Sequence, residues 1–159
     1  MNQERYLCFN LGTEEFGVPL LSVKEVLAIP EITPVPFAPS HYVGVMNLRG
    51  QVISIIDLRS KFGIKTNTST ETSVIICDLI KSTIGIIVDS INSVASPELD
   101  QLCPKPQIQG NNTSEYITAI YRRADQMILF IDIFKTLNSS ETQLLSRLNQ
   151  KPPVAMALA

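Results

Sequence analysis

Tyr42-Val43-Gly44-Val45-Met46-Asn47-Leu48-Arg49-Gly50-Gln51-Val52-Ile53-Ser54-Ile55-Ile56-Asp57-Leu58-Arg59 contains two short apolar runs on either side of Arg49-Gly50. Val43 to Leu48 and Gln51 to Ile56 predict the two strands of a hairpin, since β-branched runs separated by a Gly-containing turn favour that pairing. Asp57 stands where a carboxylate caps a short helix, Leu58 to Phe62, which Gly63 ends. The plan recurs late in the chain. Tyr116 to Tyr121 and Gln126 to Ile131 predict a second such hairpin, and Asp132 caps Ile133 to Leu137. Gln51 with Gln126, Asp57 with Asp132 and Phe62 with Leu137 all lie at one spacing.

Outward from this core the repetition continues at a second, slightly shorter spacing. It pairs Tyr6 with Val74, Leu11 with Leu79, Gly17 with Gly85, Val23 with Ile91 and Val26 with Val94. Any two Ile/Val-rich strands would match apolar positions; the matched glycines and aspartates point to duplication. The spacings change inside the polar loop Leu99 to Asn112, where insertions cost little. Arg5 to Leu11 and Glu15 to Pro19 predict a hairpin, as do Ser73 to Leu79 and Thr83 to Val88. Leu21 to Leu27, apolar at 23, 26 and 27, predicts a short helix, and Ile91 to Ala95 fits strand or short helix. Pro30, Pro34, Pro36 and Pro39 hold an extended loop. Lys65 to Thr72 reads as a linker, Glu141 to Asn149 as an amphipathic helix, and 149–159 as a flexible tail. About five short strands per copy suggest two small closed barrels, since closure removes exposed edges.

Composition narrows the function. A chain of 159 residues with 45% hydrophobic content supports a core without staples. Charged residues make up 18% and the net charge is -2, so no basic field invites nucleic acid or an anionic membrane. Cys8, Cys77 and Cys103 lack CxxC spacing and His41 is the sole histidine, which argues against a zinc site. Cys8 and Cys77 sit in apolar runs as small buried thiols, which fits a reducing compartment. Met1 to Arg5 is polar, and no apolar run has the length to span a bilayer, so a soluble, cytoplasmic protein is expected.

Catalytic signatures do not emerge. The chain lacks a P-loop, GxGxxG, HExxH and GxSxG. Asp78 and Asp89 end neighbouring strands and would suit acid–base work only if burial separated their pKa values. Satisfying turn backbone is the commoner role for such residues. Asp57 and Asp132, placed alike in both copies, fit structural caps better than an active site. An interaction protein is the expectation, with no cofactor.

Asn47-Leu48-Arg49-Gly50 stands apart. Its flanks are apolar, Gly50 permits a positive φ, and the matching turn Arg122 to Asp125 has lost the pattern. A feature kept in one copy only is a functional candidate. Glu25, between Val23 and Val26, is a candidate partner for the Arg49 guanidinium, in a partly buried pair that would rigidify the first lobe.

Phe16-Gly17-Val18-Pro19, Val23-Lys24-Glu25-Val26, the run Gly44 to Arg59 and Ile84-Gly85-Ile86-Ile87-Val88-Asp89, in this order, closely resemble the CheW family over roughly residues 4–148. The resemblance implies a mainly β fold of two tandem SH3-like five-stranded β-barrel subdomains with short helices and a C-terminal helix. It implies one domain over 4–148, with a first barrel about 14–64 and a second about 73–137, the N-terminal strand and C-terminal helix being open to exchange between them. It implies a non-catalytic adaptor joining the cytoplasmic tips of methyl-accepting chemoreceptors to the regulatory domain of the histidine kinase CheA, without nucleic acid or membrane insertion. Val23, Arg49, Ile91 and Val94 would line a receptor groove between subdomains. With Glu25, Val26, Asn47, Leu48 and Gly50 they form the expected interface, while Gly17, Gly44, Asp57, Gly85 and Asp132 are structural. The kinase would contact chiefly the first barrel. Ser54 stands where the family often has Pro, and Ala119 where it often has Gly. An adaptor of another chemosensory pathway, such as one controlling type IV pili, fits the same residues. A ligand-binding or enzymatic barrel would instead need a deep polar pocket.

Overall fold

The computed structural model describes residues 4–66, 69–79, 82–104 and 115–137. The expected helix Glu141 to Asn149 and the 149–159 tail lie outside them. Among the described residues, eleven strands and two short α-helices follow in chain order. The first half carries β1 (Tyr6–Leu11), β2 (Glu14–Pro19), β3 (Val23–Ala28), β4 (Tyr42–Leu48), β5 (Gln51–Asp57) and α1 (Leu58–Lys61). The second carries β6 (Ser73–Leu79), β7 (Ser82–Val88), β8 (Ser90–Ala95), β9 (Leu102–Cys103), β10 (Ile117–Arg123), β11 (Gln126–Ile131) and α2 (Ile133–Thr136).

The strands form two sheets, ordered β3-β6-β7-β5-β4 and β8-β1-β2-β11-β10-β9. Replacing each strand of the first by its sequence repeat gives β8-β1-β2-β11-β10, so the sheets share one plan. Each has a single parallel pair at the same place, β5 with β7 and β11 with β2. Each sheet takes strands from both halves of the chain. Hairpin β1–β2 pairs with β8 and β11, and hairpin β6–β7 pairs with β3 and β5. A whole hairpin from each half thus joins the sheet formed mainly by the other.

This exchange explains the near-continuous apolar runs, which strands buried on both faces require. Tyr6 and Cys8 of β1 face the interior of the six-stranded lobe with Tyr121, Ile128 and Phe130. Leu7, Phe9 and Leu11 face a central cluster between the sheets with Ile75, Ile84, Ile86 and Ile131. Val74 and Ile76 of β6 face the five-stranded lobe with Ile53 and Ile55. Burial pushes the Cys8 thiol up to about 11 and the Cys77 thiol up to about 12.

Leu21 to Leu27 does not form the expected helix. Leu20–Ser22 makes one 3-10 turn, and β3 follows with alternating burial. So short a stretch fits either period, and an open edge on β6 offers it backbone partners. Ile91 to Ala95 resolves as strand.

Candidate interaction site

The β4–β5 turn is built by Arg49 and Gly50, with φ of 52° and 86°. Two residues with positive φ between Leu48 and Gln51 are the signature of the type I′ turn, whose twist matches that of hairpin strands. Gly50 meets that requirement without strain; Arg49 does not. Asn47 offsets part of the cost, its Oδ1 accepting the Gly50 N–H at 2.8 Å. Leu48 is half-buried against the five-stranded lobe's interior.

Arg49 in turn reaches β3. Its Nη1 and Nη2 donate to Glu25 Oε1 and Oε2 at 2.6 and 3.0 Å, a bidentate fork. The pair lies on the surface, the Arg49 side chain being 72% and the Glu25 side chain 25% exposed, so the partly buried arrangement expected from the sequence holds only for the carboxylate. The Arg49 hydrogen bond holds the Glu25 carboxyl below its ordinary range. The contact also has a topological meaning. β3 and β4 are opposite edges of their sheet, and four flat strand spacings would part them by about 19 Å. The sheet is curled enough that this side-chain ion pair spans the seam between its two edges.

The other expected interface residues divide. Val23 and Ile91, both half-buried, pack on the same central cluster. Val26 and Val94 are exposed at equivalent places on β3 and β8, the outer strands of different sheets. The structure therefore gathers Glu25, Asn47, Leu48, Arg49 and Gly50, and sets Val26 and Val94 on separate edges.

Among the structural positions, Asp57 Oδ1 accepts the Arg59 N–H at 3.0 Å and Asp132 Oδ1 the Lys135 N–H at 3.3 Å, capping α1 and α2. A Cβ on Gly17 would meet the Phe130 ring at 2.7 Å, and one on Gly85 would meet Ile55 at 2.6 Å. Each glycine opens room where its parallel partner strand crosses. Gly44 passes beneath Thr33, where a Cβ would stand 2.1 Å from the carbonyl oxygen. That approach allows Thr33 and Val45 to exchange two backbone hydrogen bonds of 2.8 Å. Ser54 is fully buried, and its Oγ accepts the Tyr42 hydroxyl at 2.7 Å.

Sequence reasoning missed the most buried charge among the described residues. Arg59 is 3% exposed, with Nε and Nη2 on the two Asp57 oxygens at 3.0 Å each and Nη1 on Asp89 Oδ1 at 2.8 Å. The Asp57 hydrogen bonds raise the Arg59 pKa further. Asp89 also accepts the Gly12 N–H at 2.5 Å. The node ties α1 to the β1–β2 turn, and so one lobe to the other. Asp89 is thus engaged structurally, apart from the exposed Asp78, and the two form no acid–base dyad. Among the described residues no cluster of His, Cys, Asp and Glu is placed to hold a metal, and no helix is long and apolar enough to cross a membrane.

The profile of the CheW-like domain matches residues 5–141. The chain belongs to the CheW-like family. Chemotaxis protein CheW of Klebsiella aerogenes is 34% identical over 142 residues, 89% of this chain and 86% of its own. That of Treponema pallidum is 30% identical over 155 residues, 93% of this chain and 91% of its own. Among solved structures, the scaffolding protein TtCheW of Thermoanaerobacter tengcongensis superposes with a TM-score of 0.81 at 28% identity, covering 91% of this chain and 95% of that one. This CheW-like chain is a chemotaxis adaptor with two SH3-like β subdomains, built by the hairpin exchange described above.

Proposed function

We propose that this CheW-like protein couples methyl-accepting chemoreceptors to the regulatory domain of the kinase CheA in the cytoplasm, without catalysing a reaction. The observation carrying this reading is the exposed turn Asn47 to Gly50, held in a strained form and tied by Glu25 to an edge strand with Val26 outward. A fixed, charged tip beside an apolar edge suits protein recognition, because its ordering cost is met before binding. Two weak contacts on one rigid body act at raised effective concentration.

The test is a pull-down with a receptor cytoplasmic fragment and the kinase regulatory domain, comparing wild type with Arg49→Glu. Wild type is expected to form a ternary complex, and the variant to lose the receptor. Binding of neither partner by wild type would sink the adaptor role, and equal binding by both proteins would remove Arg49 from the interface. A second reading, an adaptor of a non-flagellar pathway, is favoured by the similarity to protein FrzA of Myxococcus xanthus, 24% identical over 150 residues covering 91% of this chain and 92% of its own. Receptor fragments from each pathway, compared in the same assay, separate the two.

A further inference from the structure

The proline loop between β3 and β4 carries an aromatic ring in the open. Phe37 stands at the apex of Pro34-Val35-Pro36-Phe37-Ala38-Pro39, with a φ of 62° and a fully exposed side chain. A proline followed by a residue of positive φ is the pattern of a type II turn, whose second central place favours glycine. A bulky side chain there is an outlier. Arg49 and Ala124, the other non-glycine residues of positive φ among the described residues, sit in two-residue hairpin turns whose strands favour that geometry. β3 and β4 do not pair with each other, so no strand twist imposes it on Phe37. The loop around the ring is fixed. Thr33 and Val45 exchange two backbone hydrogen bonds, the Pro39 carbonyl accepts the Tyr42 N–H at 2.9 Å, and Val35 and Ala38 pack on the central cluster. A fully exposed ring gains no packing that offsets the strain of its backbone.

We propose that Phe37 is the anchor by which this lobe holds the kinase regulatory domain, its ring entering an apolar pocket on that domain. The inference rests on the adaptor reading and deepens it. An adaptor that holds two proteins at once needs two surfaces that do not overlap. Thr33 lies opposite Val45 in antiparallel register, so the chain from Thr33 to Phe37 runs toward the Tyr42 end of β4, while Arg49 follows its Leu48 end. The two ends of that strand are about 20 Å apart. The Glu25–Arg49 tip goes to the receptor in the adaptor reading, which leaves the far end of the same lobe to the kinase. The loop's chemistry sets the form of the contact. From Ile32 to Leu48 the chain carries no Asp, Glu, Lys or Arg, so the loop offers its partner no ion pair. Pro34, Pro36 and Pro39 lack an N–H, so the segment is unsuited to joining a partner's sheet as a strand. What it offers is apolar shape: one ring, in a turn already formed, for a concave site.

The deciding variant is Phe37→Gly, which removes the ring and gives the turn the residue its φ favours. It should melt at or above the wild-type temperature. Phe37→Ala keeps the Cβ, and so separates loss of the ring from loosening of the loop. Each full-length protein is titrated calorimetrically with the kinase regulatory domain and, separately, with a receptor cytoplasmic fragment. Both variants are expected to bind the kinase domain about tenfold or more weakly, as loss of an aromatic anchor does, and to bind the receptor as wild type does, the reverse of Arg49→Glu. Lost binding with unharmed stability is the mark of a residue held for function. If wild type binds both partners and either variant matches it on the kinase domain, the proposal is overturned while the adaptor reading stands. A loss confined to the receptor, or equal for both partners, overturns it as well. So do wild-type dimers, seen by sedimentation and absent in the variants, with kinase affinity unchanged: the ring would then serve a second copy of this chain. If wild type binds neither partner, the adaptor reading itself falls and the proposal with it.

Discussion

The two lobes have one strand order and one pair of capped helices, yet they are finished differently at the same three places. The five-stranded lobe ties its seam with Glu25 and Arg49, and the repeat positions in the other lobe are Ser93 and Ala124. It fills its flank with Arg59, where the other lobe turns Phe134 outward. It brings Thr33 against the bare backbone of Gly44, where the other lobe has Ala119 and covers the same edge with β9. The backbone frame was duplicated; the polar fittings were not. Frame and specificity are thus carried by different residues, and variants that exchange fittings between lobes separate the two.

Arg59 tests the difference most severely. Arg59→Met keeps the volume but leaves Asp57 and Asp89 facing each other without their cation. Breaking a buried ion pair from one side typically costs about 3–5 kcal/mol, and both acids here are mostly buried. A loss of about 3 kcal/mol is expected from urea denaturation, with Phe134→Ala in the other lobe costing under about 1 kcal/mol because that ring is half in solvent. Equal losses at the two positions would mean that the lobes are not finished differently in energy.

This contrast also marks where sequence reasoning ends. Most of the hairpin strands, the capped helices and the Glu25–Arg49 fork were legible, because each depends on residues close in sequence or on simple charge complementarity. Hairpin exchange was not, since β1–β2 has the same local pattern whichever lobe it joins. Arg59 was overlooked for a related reason: a cation two residues after a capping aspartate is ordinarily solvated, and its second partner, Asp89, is brought near only by the exchange. Val23 to Leu27 fits both periods over so short a stretch, and only the open edge of β6 decided for strand.

Gly44 offers a smaller effect. In Gly44→Ala the new Cβ would stand 2.1 Å from the Thr33 carbonyl oxygen, and backbone must yield. Overpacking of this kind costs about 1–3 kcal/mol. A loss of about 2 kcal/mol is expected, together with faster hydrogen exchange at the Val45 amide, which donates to Thr33. The reciprocal Ala119→Gly should cost about 1 kcal/mol or less, the entropy of a strand glycine. Unchanged exchange at Val45 in Gly44→Ala would show that the crossing can shift at no cost.

The seam itself is expected to contribute least to stability, because the guanidinium is mostly in water and exposed pairs are weak. Its signature is pH. The Glu25 pKa is depressed in the folded protein, chiefly by the Arg49 hydrogen bond. The pair's contribution is therefore complete above the ordinary glutamate range and lost as pH falls through the lowered folded value. A carboxyl titration followed by NMR should place Glu25 below the ordinary glutamate range, and Arg49→Gln should return it there. The Asn47 contact to Gly50 does not titrate, so the turn should hold its backbone shifts while the seam opens. If the backbone shifts of Arg49 and Gly50 instead move together with Glu25, the ion pair holds the strained turn as well as the seam, and the first lobe's tip is a single cooperative unit.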